Sequence, residues 1–121
     1  MAKIAFLGAG AMGTALLRGL LRAGVYAPQD IGFFDVDTTR VLALADELGV
    51  QAHDDIAAFS DYETILLAVK PQIVETGLAP LRASMTAKNT VISIAAGVWL
   101  SQLEACFDAQ VPCVRVMPNT P

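Results

Sequence analysis

The 121 residues suffice for one domain with a substantial core, and 55% of them are hydrophobic. Charged residues make up only 17%, low for a soluble monomer, so some apolar surface is expected to face a partner. The net charge is −4 and the eight Lys and Arg are scattered, which argues against nucleic acid as a ligand, and no uninterrupted apolar run of about 18 residues exists to span a membrane.

In chain order, Ile4 to Leu7 reads as a short buried strand ending in glycine. Lys3 and this apolar stretch superficially resemble a secretory signal. Three glycines interrupt it, however, and Arg18 and Arg22 follow at helical spacing, so a cytoplasmic protein is expected. Met12, Leu16, Leu17, Leu20 and Leu21 then recur at helical spacing up to Gly24. Ile31 to Phe34 forms a second strand, and Asp37 or Thr38 caps a second helix that stops at Gly49. Val50 to His53 reads as a third strand and Asp54 to Ser60 as a short helix. Thr64 to Val69 is a fourth strand. Gln72 to Met85 follows as a helix kinked or broken at Gly77 and Pro80. Thr90 to Ala95 is a fifth strand, Leu100 to Phe107 a fifth helix, and Val114 to Met117 a sixth strand.

Strands that are apolar throughout belong to a parallel sheet covered on both faces. Alternation with helices and right-handed crossovers predicts an α/β, doubly wound Rossmann-like sheet of order 3-2-1-4-5-6 in a single domain, 1–121.

The segment Gly8-Ala9-Gly10-Ala11-Met12-Gly13 has the GxGxxG pattern, which by itself is weak. Here it follows a strand, opens a helix and precedes an acid at the end of the next strand. Gly8 permits the tight turn, Gly10 lets a pyrophosphate approach the backbone, and Gly13 lets the helix pack close to the strand. The helix start offers unpaired N–H groups and the positive end of its dipole to the phosphates. Asp35 lies 22 residues after Gly13, where a carboxylate accepts from the ribose hydroxyls of the adenosine half. The same charge opposes a 2′-phosphate: two unit charges about 5 Å apart repel by roughly 3 kcal/mol at an effective dielectric of about 20. NADH is therefore favoured within an NAD(P)H site.

His53 is the only histidine and is expected in an exposed or capping role near the outer strand, so no Ser-His-Asp or Cys-His arrangement can form. No catalytic residue is assigned. Cys106 and Cys113 read as free thiols, and no metal site is expected. The ends of strands four, five and six read Ala68-Val69-Lys70-Pro71, Ala95-Ala96-Gly97 and Met117-Pro118-Asn119-Thr120. These ends border the crevice of a doubly wound sheet. Lys70 either helps hold a substrate carboxylate or merely caps a strand end at the surface.

Three later segments narrow the reading: Leu67-Ala68-Val69-Lys70-Pro71-Gln72, Ser93-Ile94-Ala95-Ala96-Gly97-Val98 and Arg115-Val116-Met117-Pro118-Asn119-Thr120-Pro121. With the glycine loop, and in this order, they resemble the N-terminal domain of pyrroline-5-carboxylate reductase, from Ala2 to Pro121. The resemblance implies an oxidoreductase of proline biosynthesis. It transfers hydride from NAD(P)H to the C=N carbon of 1-pyrroline-5-carboxylate, giving L-proline, with much of the rate supplied by placement. It also implies dinucleotide contacts at Leu7, Gly8, Ala9, Gly10, Ala11 and Met12, at Asp35, at Ala68, Val69, Lys70 and Pro71, and at Ala95, Ala96 and Gly97. Asp55 stands where the family often has an asparagine near the adenosine.

Three departures from the family pattern matter. Asp35-Val36 replaces an Asn or Ser followed by Arg. Trp99 replaces a Ser or Thr helix cap and cannot cap in that way, so packing against a partner is one role left for it. The family's C-terminal helical domain, which dimerises and supplies most of the substrate pocket, has no counterpart in these residues. The chain alone is therefore expected to have an incomplete site and to expose apolar surface near its C-terminus. A β-hydroxyacid dehydrogenase-type domain and a non-catalytic nucleotide-binding module are the alternatives.

Overall fold

The computed structural model describes residues 3–8 and 10–116. Six parallel strands form one sheet: β1 (Ile4–Leu7), β2 (Ile31–Phe34), β3 (Gln51–Ala52), β4 (Thr64–Leu67), β5 (Thr90–Ser93) and β6 (Cys113–Arg115). Their order is β3-β2-β1-β4-β5-β6, as the alternation of elements predicts. From β1 the chain steps outward to β2 and β3, then returns to β4 and steps the other way. Right-handed crossovers therefore fall on opposite faces in the two halves.

The packing follows from that rule. Helices α1 (Ala11–Ala23) and α2 (Thr38–Leu48) cover one face, where Phe6, Phe33 and Leu66 pack with Leu17 and Leu44. The short α3 (Val74–Leu78) and α4 (Leu100–Glu104) cover the other, where Leu7, Ile65 and Leu67 pack with Leu78 and Leu103. β1 is buried along its whole length, which explains its continuous apolar run. Asp37 caps α2 by accepting from the Arg40 N–H at 3.2 Å, and α1 and α2 stop at Gly24 and Gly49. An exposed Arg18–Glu47 ion pair links the two helices but, being solvated, adds little stability.

Several elements are shorter than predicted. The helix expected over Gln72 to Met85 is a 3₁₀ turn (Pro71–Ile73), then α3, then a 3₁₀ turn (Ala79–Leu81) that holds Pro80. Its break lies where Gly77 and Pro80 place it. The helix expected at 54–60 is a 3₁₀ stretch, Ile56–Asp61, and α4 ends at Glu104 rather than Phe107. β6 covers Cys113–Arg115 instead of 114–117, and Met117 lies outside the described residues. Among the described residues no helix is long and apolar enough to cross a membrane.

The exposed or capping role expected for His53 is corrected. His53 shares a 2.7 Å hydrogen bond with the Tyr62 hydroxyl and meets the Phe59 and Tyr62 rings edge-on. Tyr62 lies against Gly32 of β2, where a Cβ would run into its hydroxyl and ring. Gly32→Ala is accordingly expected to destabilise the fold by about 1–3 kcal/mol in urea unfolding, and wild-type stability would contradict this packing. Burial also lowers the His53 pKa below its ordinary 6.5, so the unfolded chain takes up a proton first. Stability from this residue is present above that value and declines as pH falls from it towards the lower folded pKa. Unfolding midpoints of His53→Gln should show a shallower decline over that window than the parent; equal slopes would argue against it.

Candidate dinucleotide-binding site

The carboxyl ends of β1, β2 and β4 are tied together just below the glycine loop. Gly8 N–H donates to the Phe34 carbonyl at 2.9 Å, and Ala68 N–H donates to the Leu7 carbonyl at 2.8 Å. Gly8 has φ +107°, and a Cβ there would sit 2.6 Å from the Ala68 carbonyl oxygen. Both facts demand glycine. A Cβ on Gly13 would lie 2.6 Å from the Ala68 Cβ, so the close helix–strand packing expected of Gly13 is present and Ala68 is the residue it approaches.

Gly10 occupies the N-cap of α1 without a side-chain cap, and Thr14 N–H bonds back to its carbonyl at 2.9 Å. The N–H groups of Ala11, Met12 and Gly13 therefore have no intrahelical acceptor, and the positive end of a 13-residue helix faces the loop. No acidic residue lies in the first turn to neutralise it. This cradle fits a bound anion such as a pyrophosphate.

Beside it opens a cleft of about 310 Å³. Gly8 and Gly10 form its loop side, Phe34, Asp35 and Val36 one wall, and Ala68, Val69 and Lys70 the other, with Ile73 and Gly77 beyond. The half-buried Asp35 is oriented by accepting from the Asp37 N–H at 2.9 Å, within the turn that caps α2. Val36 is 90% exposed and Ile73 44% exposed, so two apolar side chains border the opening.

Of the sequence-predicted residues, Leu7, Gly8, Gly10, Asp35, Ala68, Val69 and Lys70 come together in this cleft. Ala11 and Met12 stand at the start of α1, and Ala9 lies outside the described residues. The others lie elsewhere. Pro71 lines a separate hollow between α3 and α4. Asp55 is exposed and caps its 3₁₀ stretch, accepting from the Ala57 N–H at 2.9 Å. Ala95, Ala96 and Gly97 follow the end of β5 without bordering the cleft. Sequence reasoning missed Phe34, Val36, Ile73 and Gly77. The i, i+4 spacing of Ile73 and Gly77 and the place of Val36 directly after the acid were usable signals.

The thiols have no role here. Cys106 is buried, and burial, reinforced by the Glu104 charge, pushes the half-buried Cys113 thiol up to about 11, which leaves it unreactive at neutral pH. Trp99 occupies the N-cap of α4 without a side-chain cap. Instead Gln102 Oε1 accepts from the Trp99 N–H at 2.7 Å, and the Arg115 guanidinium stacks 4.9 Å from the indole centroid.

A parallel sheet whose order reverses beside a glycine loop is the Rossmann architecture of nicotinamide-dinucleotide-dependent oxidoreductases. The chain belongs to the family described as NADP oxidoreductase, coenzyme F420-dependent, which it matches over residues 3–97. It is 42% identical over 118 residues to a pyrroline-5-carboxylate reductase of Methanosarcina acetivorans, covering 97% of this chain and 44% of that protein. A solved pyrroline-5-carboxylate reductase from Coxiella burnetii superimposes with a TM-score of 0.89 at 29% identity, covering 99% of this chain and 45% of that one. A Plasmodium falciparum pyrroline carboxylate reductase solved with NADP bound gives a TM-score of 0.77 at 26% identity, covering 99% of this chain and 43% of that one. The chain thus spans less than half the length of these relatives.

Gly8→Ala combines a strained φ with a backbone collision. It is expected to lower stability by roughly 1–3 kcal/mol and to abolish dinucleotide binding, whereas intact binding by calorimetry would remove Gly8 from the site.

Proposed function

We propose that this chain is the cofactor-binding half of a pyrroline-5-carboxylate reductase. The observation that carries the reading is 42% identity to such an enzyme along 97% of the chain, with the glycine cradle and the acid of β2 meeting in one cleft. The bound nicotinamide supplies the hydride that reduces the C=N carbon of 1-pyrroline-5-carboxylate, giving L-proline and the oxidised cofactor.

The chain's own residues bind and orient. The N–H groups at the start of α1 hold the pyrophosphate, and Gly10 leaves room for its approach. Asp35 accepts from the adenosine ribose hydroxyls, while Val36 and Ile73 flank the base with apolar surface. Asp55 contributes at the adenosine end, and the small residues Ala95, Ala96 and Gly97 admit the nicotinamide ring. Lys70 holds a phosphate or a substrate carboxylate at the cleft wall. A protonated imine is already electrophilic, so holding the two partners in line is the main requirement. The substrate side is completed by residues outside this chain.

Asp35 makes NADH the preferred cofactor. Its carboxylate is held in place by the Asp37 N–H, and Lys70 is the only cation lining the cleft among the described residues. A 2′-phosphate would face the fixed negative charge. Calorimetric titration should give tighter NADH than NADPH binding, and Asp35→Ala should shift the ratio towards NADPH by at least roughly tenfold. An unchanged ratio would remove Asp35 from cofactor selection, and absence of binding by either cofactor to the folded chain would overturn the reading itself.

A further inference from the structure

Phe34, whose ring walls the cleft, is backed by an aromatic cluster that reaches the outer strand β3. Phe59, fully buried, meets the Phe34 ring edge-on with 6.5 Å between centroids. Behind Phe59, the His53 ring stands at 6.0 Å and 81°, and the Tyr62 ring at 5.9 Å and 64°. These are the separations of favourable edge-to-face pairs. The 2.7 Å hydrogen bond between His53 Nε2 and the Tyr62 hydroxyl closes the cluster.

The cluster is anchored on every side. Its 3₁₀ stretch is held at one end by the Asp55 cap on the Ala57 N–H. At the other end the buried Asn89 donates from Nδ2 to the Ser60 and Tyr62 carbonyls at 3.1 and 2.7 Å. His53 is tied to β2 by its backbone N–H, which donates to the Phe33 carbonyl at 2.9 Å. Phe34 is joined to the cleft twice over, since its carbonyl accepts from the Gly8 N–H and the next residue is Asp35. A shift at Phe34 is therefore felt by the glycine loop and the acid together.

His53 is the member of this cluster whose charge changes near neutral pH. An imidazolium only donates, so the Tyr62 hydroxyl can no longer donate to it, and a half-buried charge draws in water. The charged groups around it are few. Asp54 beside it favours the imidazolium, but burial outweighs this and keeps the ring neutral to lower pH. Asp61 and Asp30 act on the Tyr62 hydroxyl, and Asp55 is turned into its cap. On the remaining side α2 presents Thr38, Val41 and Leu42, none of which titrates.

We propose that His53 is a positioning residue for the cleft: as neutral imidazole it braces Phe59 against Phe34 and so holds the wall that carries Asp35, and as imidazolium it releases that wall. The consequence, which rests on the dinucleotide reading above, is that cofactor binding weakens as His53 becomes charged.

Calorimetry with NAD⁺, the acid-stable form of the cofactor, should give a Kd that rises by roughly 3–10-fold between pH 7.5 and pH 5. Because burial lowers the His53 pKa, the rise should fall below pH 6.5. By reciprocity, bound NAD⁺ should lower the His53 titration midpoint, followed by NMR of the imidazole, by roughly 0.5–1 pH unit. His53→Gln should remove most of the pH dependence. Phe59→Leu, with unchanged circular dichroism, should remove it while His53 still titrates. In the ligand-free chain the amide shifts of Phe34, Asp35 and Val36 should follow the His53 midpoint, and in Phe59→Leu they should not. A pH-independent Kd, a pH dependence that survives in both variants, a His53 midpoint that NAD⁺ leaves in place, or amides at 34–36 that ignore His53 would each overturn the proposal. Failure of NAD⁺ to bind at any pH, with those amides still following His53, would support the brace and overturn the dinucleotide reading instead.

Discussion

The close approach of the glycine loop and α1 to Ala68 is the constraint on which the rest depends. Gly8 and Gly13 reach this one residue from two directions, and neither position has room for a Cβ. With Ala68 between them, the start of α1 is drawn down onto the junction of β1 and β4. Here the strand order reverses, and the crossovers leave the two faces in opposite directions to open a crevice. A larger residue at any of the three positions would separate helix from sheet. The start of α1, with Gly10 at its N-cap, would then be moved away from the cleft that Gly8 and Gly10 line.

The site built on this junction is asymmetric in charge and polarity. Its floor is the positive end of a helix, one wall carries the fixed carboxylate of Asp35, and its mouth is bordered by Val36 and Ile73. That combination suits a ligand with an anionic centre, a hydroxylated sugar and a flat apolar ring. The cleft of about 310 Å³ is walled by the carboxyl ends of β2 and β4, while Ala95, Ala96 and Gly97 lie beyond β4 at the end of β5.

Much of this was legible in the sequence because it rests on local rules. Short apolar runs bounded by turn residues gave β1, β2, β4 and β5, the last two each read two residues too long, and the Asp37 cap followed from its place before a periodic segment. The glycine loop was recognisable because each glycine answers a steric demand that the strand–loop–helix context imposes. The two-residue β3 and the 3₁₀ stretches were less legible, since so short an element has no period to read. His53 was misplaced because its environment is tertiary. Its hydrogen-bond partner Tyr62 is nine residues on and is seated by the absence of a side chain at Gly32, a third site on another strand. The cleft walls at Val36 and Ile73 were missed for a related reason: exposed aliphatic residues look unremarkable until a cavity is seen between them.

The most direct test is an amide chemical-shift map of the chain titrated with NADH. The account predicts that the largest changes fall on Gly8, Gly10, Ala11, Met12 and Gly13, on Asp35 and Val36, and on Ala68, Val69 and Lys70. The edge strand β6 should be little affected. Saturating shifts centred elsewhere, with the glycine loop and Asp35 unmoved, would contradict it.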